Sequence, residues 1–152
     1  MLQSGVLAPE FRLPLLGGGE IGLAEIVAGG PALLAFFKVN CPVCQLTLPF
    51  LERIHTPAAP VYGISQNGAK DTREFNREFG VTFPTLLDSE EGFEVSNAFG
   101  ISTVPTLFLV ERDGAISHVV EGWQKKEIEW LGERAGVAAI RASDNVPAWK
   151  AG

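Results

Sequence analysis

Residues 31–39 read PALLAFFKV, a nearly unbroken apolar run. A run of that length suits a β-strand buried on both faces, because alternation disappears when neither face meets water. Residues 60–65 (PVYGIS) and 82–88 (TFPTLLD) predict two more strands. Residues 106–111 and 116–121 predict another two, joined at Asp113-Gly114, a dipeptide that favours a hairpin turn. Between the strands the period changes. Cys44, Leu48, Leu51 and His55 recur every three or four residues, predicting a helix over 41–55. Asn40 is placed to cap it, Pro42 falls in its first turn, and Pro49 should kink it. Further helices are expected over 71–79, before Gly80, over 91–99, before Gly100, and over 125–135. Phe75, Phe79, Phe93 and Phe99 fall at core spacings on these helices. Ahead of the apolar run, residues 1–30 are rich in Gly and Pro and predict two short strands, near 11–13 and 19–22. Residues 136–152 show no periodicity. The alternation of strands and helices, closed by a hairpin and a helix, predicts an α/β sandwich around a mixed sheet.

The chain has 152 residues, the size of one domain. Residues 1–30 read as an N-terminal hairpin extension, 31–136 as the core and 137–152 as a C-terminal tail. A chain of this size buries roughly 70% of its unfolded surface, so it needs no covalent staple. Its two cysteines are therefore free for chemistry. A net charge of -6 and the lack of any basic run exclude a nucleic-acid surface. No apolar run approaches ~18 residues, so no membrane span is expected. The N-terminus lacks the charged and apolar regions of a signal peptide. A cytoplasmic protein is expected if the chain is full length, and an extracytoplasmic one if a leader was trimmed. A monomer is expected.

Both cysteines lie in KVNCPVCQLTLP, as Cys41 and Cys44 around Pro42 and Val43. They could be a redox pair, half of a metal site or two buried thiols. Their position favours the first. At a strand-to-helix junction the first sulfur meets the orphan N–H groups of a helix start. Such groups lower a thiol pKa from ~8.5 into a range of about 3.5–7.5, and the thiolate is the attacking species in disulfide exchange. Cys41 is thus assigned as nucleophile and Cys44, one turn on, as resolving thiol. Lys38, three residues earlier, could assist by its charge. A zinc site would need His55 and His118 as well. One sits at a helix end and the other in an alternating strand, so both read as structural or solvated. No metal and no organic cofactor is expected; a redox-active disulfide is the centre. Trp123, Trp130 and Trp149 read as packing residues, and Glu52 as a surface charge. In STVPT, Pro105 stands just before an apolar strand, where an X-Pro bond can be cis.

These motifs in order, namely APEFRLPLL, LLAFFKVNCPVC, VYGIS, FPTLLD, AFGISTVPTLFLVERDG and EGW, resemble the thioredoxin-like fold in its redoxin branch, the TlpA-like and AhpC/TSA-like proteins. The resemblance covers roughly residues 8–135. It implies a thioredoxin-like sandwich with a central mixed sheet flanked by helices, an N-terminal β-hairpin and an inserted βα unit within residues 61–99. It implies a thiol–disulfide oxidoreductase serving protein disulfide or dithiol substrates and an upstream thiol reductant or oxidant. It also implies a cis Val104–Pro105 bond packed against the cysteines, a backbone at Val104 that pairs with substrate beside Thr103, and Trp123 at the rim of the site. Departures from the pattern bear on mechanism. Ala35 stands where minimal thioredoxins carry a buried Asp, Thr47 where TlpA-like reductases often carry Glu, and Asn40 where Trp is common. A peroxiredoxin-like peroxidase is the alternative enzyme, yet neither register supplies its usual Thr or Ser before the cysteine: Cys41 or Lys38 stands there instead. A redox-inactive binding module on the same fold is the alternative outside enzymes.

Overall fold

The computed structural model describes residues 1–88 and 92–152. The strands are β1 (Arg12–Pro14), β2 (Glu20–Gly22), β3 (Ala32–Phe37), β4 (Val61–Ser65), β5 (Thr85–Leu87), β6 (Thr106–Val110), β7 (Ile116–Glu121), β8 (Trp123–Gln124) and β9 (Trp149–Lys150). The helices are α1 (Leu23–Ile26), α2 (Pro42–Ile54), α3 (Ala69–Phe79), α4 (Glu94–Ala98) and α5 (Lys125–Ala135), with a 3-10 turn at Ala142–Asp144. The helix expected from residue 91 begins at Glu94; Glu91 lies outside the described residues.

The central sheet runs β5-β4-β3-β6-β7. Strand β3 pairs parallel with β4 and antiparallel with β6, so the sheet is mixed, with β3 at its centre. All six β3 residues are buried. Period two sorts them onto two faces. Leu33, Ala35 and Phe37 pack with Cys44, Leu48 and Leu51 of α2 and with Ile128 and Leu131 of α5. Ala32, Leu34 and Phe36 pack with Leu13, Leu23, Ile26 and Phe99 on the other face. There Phe36 meets Phe99 and Phe108 at ring-centroid distances of 5.1 and 5.7 Å. The unbroken run in the sequence is thus two interleaved core faces.

The hairpins form where the turn residues predict. Arg12–Pro14 pairs with Glu20–Gly22. Between β6 and β7, Gly114 takes φ +88 and donates its N–H to Glu111 O. Helix α2 remains helical through Pro49 to Ile54. Two readings of aromatic residues change. Phe93 is 41% exposed, with a positive φ of 54 just ahead of α4, so it faces solvent rather than core. Trp130 and Trp149 are also largely exposed, and only Trp123 of the three tryptophans packs inside, fully buried. Glu52 ties α2 to the chain before β5, accepting from the backbone N–H groups of Thr82 and Phe83.

The last seventeen residues carry structure that periodicity does not announce. Gly132 of α5 lets Ala139 close onto the helix: a Cβ on it would stand 2.8 Å from the Ala139 side chain. Arg53 of α2 grips Asp144 through two nitrogens at 2.8 and 3.0 Å and also donates to Ala139 O. That guanidinium holds the Asp144 carboxyl down at about 2. Strand β9 then pairs antiparallel with β8.

Candidate active site: a dithiol at the head of a helix

Strand β3 ends at Phe37, and the chain turns within four residues to enter α2. Two side-chain amides hold this turn. Asn67, from the loop after β4, accepts the Val39 N–H at 3.0 Å, and Gln45 donates to Val39 O at 3.0 Å. Neither residue stands out in the sequence: Asn67 acts through a loop that the fold brings beside the turn, and Gln45 reaches back from the start of α2.

The helix cap is Cys41, not Asn40. The reason is Pro42. It takes the first helical position, where its lack of an N–H is harmless, and it forces the residue before it into an extended conformation. Cys41 obeys, with φ -105 and ψ 112, while Asn40 lies outside the helix and exposed. The Cys41 Sγ therefore takes the place of a capping oxygen and accepts the Cys44 N–H at 3.1 Å. Half-buried, it also lies 3.5 Å from Val104 O, to which it donates when protonated. Cys44 is fully buried. Both cysteines are free.

These surroundings split the two thiols. Hydrogen bonding from the Cys44 thiol is the largest influence on Cys41; the backbone N–H groups of Cys44 and Val43 add to it, and the Lys38 charge adds least. Together they overcome burial and bring Cys41 down to about 6. Cys44 moves the opposite way, pushed far up by burial first and by the neighbouring Cys41 next. Lys38 itself is exposed at the end of β3.

Among the described residues, no carboxylate or imidazole is hydrogen-bonded to Cys44. Ala35 and Thr47 are both fully buried, and the Thr47 hydroxyl donates to Val43 O at 2.7 Å. A hydroxyl turned onto its own helix backbone cannot hold a proton at neutral pH. Among the described residues, no carboxylate is hydrogen-bonded to either sulfur.

The loop before β6 completes the site. The Val104–Pro105 bond is cis and Pro105 is buried. Thr106 Oγ1 donates to Thr103 O at 2.7 Å, and Gly122 donates its N–H to Pro105 O at 2.8 Å. Trp123, expected at the rim, is instead buried against Phe50, its indole N–H given to Pro147 O. The histidines lie in separate places. His55 Nδ1 accepts the Val61 N–H, and His118 pairs with Glu127 beneath the Trp130 ring. Among the described residues, no three His, Cys, Asp or Glu side chains are grouped to hold a metal ion. No described helix is long and apolar enough to cross a membrane.

A mixed sheet of this order, with a CxxC pair opening the helix after its central strand and a cis-proline loop alongside, defines a thioredoxin-like thiol–disulfide oxidoreductase. The chain belongs to the AhpC/TSA family, whose model matches residues 4–119. It is 27% identical over 128 residues to the thiol-disulfide oxidoreductase ResA of Geobacillus thermodenitrificans, a match covering 81% of this chain and 72% of that protein. Its fold is that of the thioredoxin domain of a thiol-disulfide oxidoreductase from Bacteroides vulgatus (TM-score 0.76, 20% identity, 90% and 97% of the two chains covered). StoA from Bacillus subtilis is similar too (TM-score 0.68, 23% identity, 84% and 96% covered).

Proposed function

We propose that the chain exchanges electrons with protein dithiols and disulfides, with Cys41 attacking and Cys44 resolving. The observation that carries this reading is the unequal pair: a half-buried sulfur capping α2, with its pKa at about 6, beside a buried thiol held protonated. At neutral pH Cys41 is a thiolate and Cys44 is not. In the reducing direction, the Cys41 thiolate attacks a partner disulfide. A new S–S bond joins Cys41 to the partner, and the partner's other sulfur leaves as a thiolate. Cys44 then gives up its proton and attacks the Cys41 sulfur. The Cys41–Cys44 disulfide forms, the partner's first sulfur departs as a second thiolate, and two electrons have passed to the partner. An upstream thiol reductant restores the dithiol by the same exchange; a partner dithiol that attacks the Cys41–Cys44 disulfide runs the steps in reverse and leaves as a disulfide. The disulfide itself is the redox centre, so no organic cofactor enters.

The partner's chain docks on the backbone at Val104, beside Thr103. The 3.5 Å approach of Cys41 Sγ to Val104 O supports this, because a strand paired there would carry its own sulfur past Cys41. Substrate is then chosen largely by backbone pairing.

Insulin reduction in the presence of a dithiol reductant tests the reading against both alternatives. The parent protein is expected to reduce insulin, Cys41→Ser to lose the activity, and added hydroperoxide to be consumed no faster than by reductant alone. Peroxide turnover without insulin reduction would favour a thiol peroxidase, and neither activity would favour a binding module.

A further inference from the structure

Beyond α5 the chain does not trail away from the site but returns to it. The Arg53–Asp144 pair holds the first part of the return. The Trp123 indole N–H then bonds Pro147 O at 2.6 Å, and Lys125, the first residue of α5, donates its backbone N–H to Ala148 O at 2.9 Å. Strand β9 pairs Lys150 with Trp123 and Trp149 with Gln124. The fit is backbone on backbone. Gly122 takes φ +69, and a Cβ on it would stand 2.5 Å from Lys150 O. At the end of the run Gly152 lies on the loop before β6. A Cβ there would collide with Val104 O and stand 2.7 Å from Thr103 Oγ1. Between this segment and the loop is a cleft of about 240 Å³, lined in part by Thr103, Gly122, Trp149 and Gly152.

Val104 O therefore has Cys41 Sγ on one side and Gly152 on another. We propose that residues 149–152 form a self-docked strap over the Val104 edge, one that a protein partner displaces before pairing there, while a small disulfide reaches Cys41 directly. The inference rests on the reading of Val104 as the docking backbone. Two properties suit the segment to the task. It opens at low cost, because its ladder to β8 is two residues long and residues 147–152 are all exposed, Trp149 by 64%. It also recloses readily, since Arg53 and Trp123 tether the chain just before it and make closure intramolecular. A strap open about a tenth of the time weakens the apparent docking of a partner about tenfold.

Two substitutions in the full chain release the strap and leave both cysteines alone. Lys150→Pro removes the backbone N–H of the ladder residue opposite Trp123. Gly152→Leu needs the space that Val104 O and Thr103 Oγ1 occupy. Rates of reduction are measured with insulin and with hydroxyethyl disulfide. Both variants are expected to speed insulin reduction about tenfold, the inverse of the share of time the strap is open in the parent, and to leave the hydroxyethyl disulfide rate unchanged. An unchanged insulin rate overturns the strap, as does an equal gain with both disulfides, which would mean general shielding of the sulfur. A parent that reduces neither disulfide overturns the exchange reading itself, a separable outcome. Should either variant lose its fold, hydrogen exchange on Cys44→Ser decides: amides 149–152 are expected to lose protection when Cys41 is joined to a cysteine-containing peptide, and retained protection contradicts displacement.

Discussion

The sulfur of Cys41 caps a helix, and the nucleophilic role proposed for it shares one cause with the cap. A cap must accept an N–H, and a thiolate accepts better than a thiol. Alkylation by iodoacetamide should therefore follow one titration at Cys41 with its midpoint near about 6, while Cys44 stays slow throughout. A midpoint in the ordinary thiol range of ~8.5 would show that the cap does not stabilise the anion. The same depression sets a stability window. The folded-state pKa lies below the unfolded one, so the contribution is complete above the free-thiol range and is lost as pH falls through about 6. The difference in melting temperature between the reduced parent and Cys41→Ser should shrink over that interval. Cys44 gives the second test at this scale. With Ala35 and the back-bonded Thr47 beside it, no carboxylate among the described residues is hydrogen-bonded to take its proton. Resolution of the mixed disulfide should still be accelerating above pH 8, since a thiol with an unshifted pKa of ~8.5 gains thiolate there and a raised one gains it later. A positioned base contributes upwards of about 10²-fold where geometry is ideal, so Thr47→Glu should quicken resolution near neutral pH by about tenfold or more. Stopped-flow traces of both proteins across pH check this; a fast, pH-flat parent would mean that another group takes the proton. The chemistry here is legible in the sequence because it is local: two cysteines one helical turn apart, after a buried strand. The cap is misread by one residue because Asn40 is the better capping side chain, whereas Pro42 decides where the helix starts.

Among the elements, the tail shows how far a chain can be ordered without periodicity. Its anchors are isolated contacts with residues outside the segment: Arg53 with Asp144, Trp123 with Pro147, Gly132 with Ala139. None leaves a repeating pattern within residues 136–152, whereas β3 and α2 are readable because their own residues repeat. Phe93 is misread for a related reason: its spacing fits a helix face, but a positive φ puts it ahead of α4. Trp123→Phe keeps most of the ring and deletes the indole N–H, leaving Pro147 O without its donor. Denaturant unfolding should show a loss of about 1 kcal/mol, the net worth of one hydrogen bond. A loss near zero would mean that water replaces the indole at no cost. The Asp144 carboxyl, held at about 2 by Arg53, contributes stability above the ordinary carboxylate range, and that contribution fades as pH falls towards about 2. Arg53→Met should flatten this acid limb in a pH series of melting curves.

At the scale of the whole molecule, one strand positions everything. Strand β3 is buried on both faces, and its C-terminal end delivers Cys41 to the head of α2 opposite the loop before β6. The mixed sheet was legible from the order of apolar runs and from the Asp113-Gly114 turn; its order, β5-β4-β3-β6-β7, and the resting place of the tail are long-range properties that composition and spacing do not carry. Phe36 sits on the face away from the cysteines, among Phe99 and Phe108. Phe36→Ala should cost about 3–5 kcal/mol in denaturant unfolding while leaving the Cys41 titration in place below the transition. A shift of that titration would mean that the far core sets the thiol environment. The central claim is the division of labour between the two sulfurs, and trapping tests it most directly. Each single Cys→Ser protein is mixed with reduced-alkylated carrier and a disulfide-bonded protein substrate, then separated without reductant. Cys44→Ser should accumulate a mixed disulfide through Cys41, and Cys41→Ser should accumulate none. A covalent adduct on Cys44 in the Cys41→Ser protein, with none in its counterpart, would contradict the assignment.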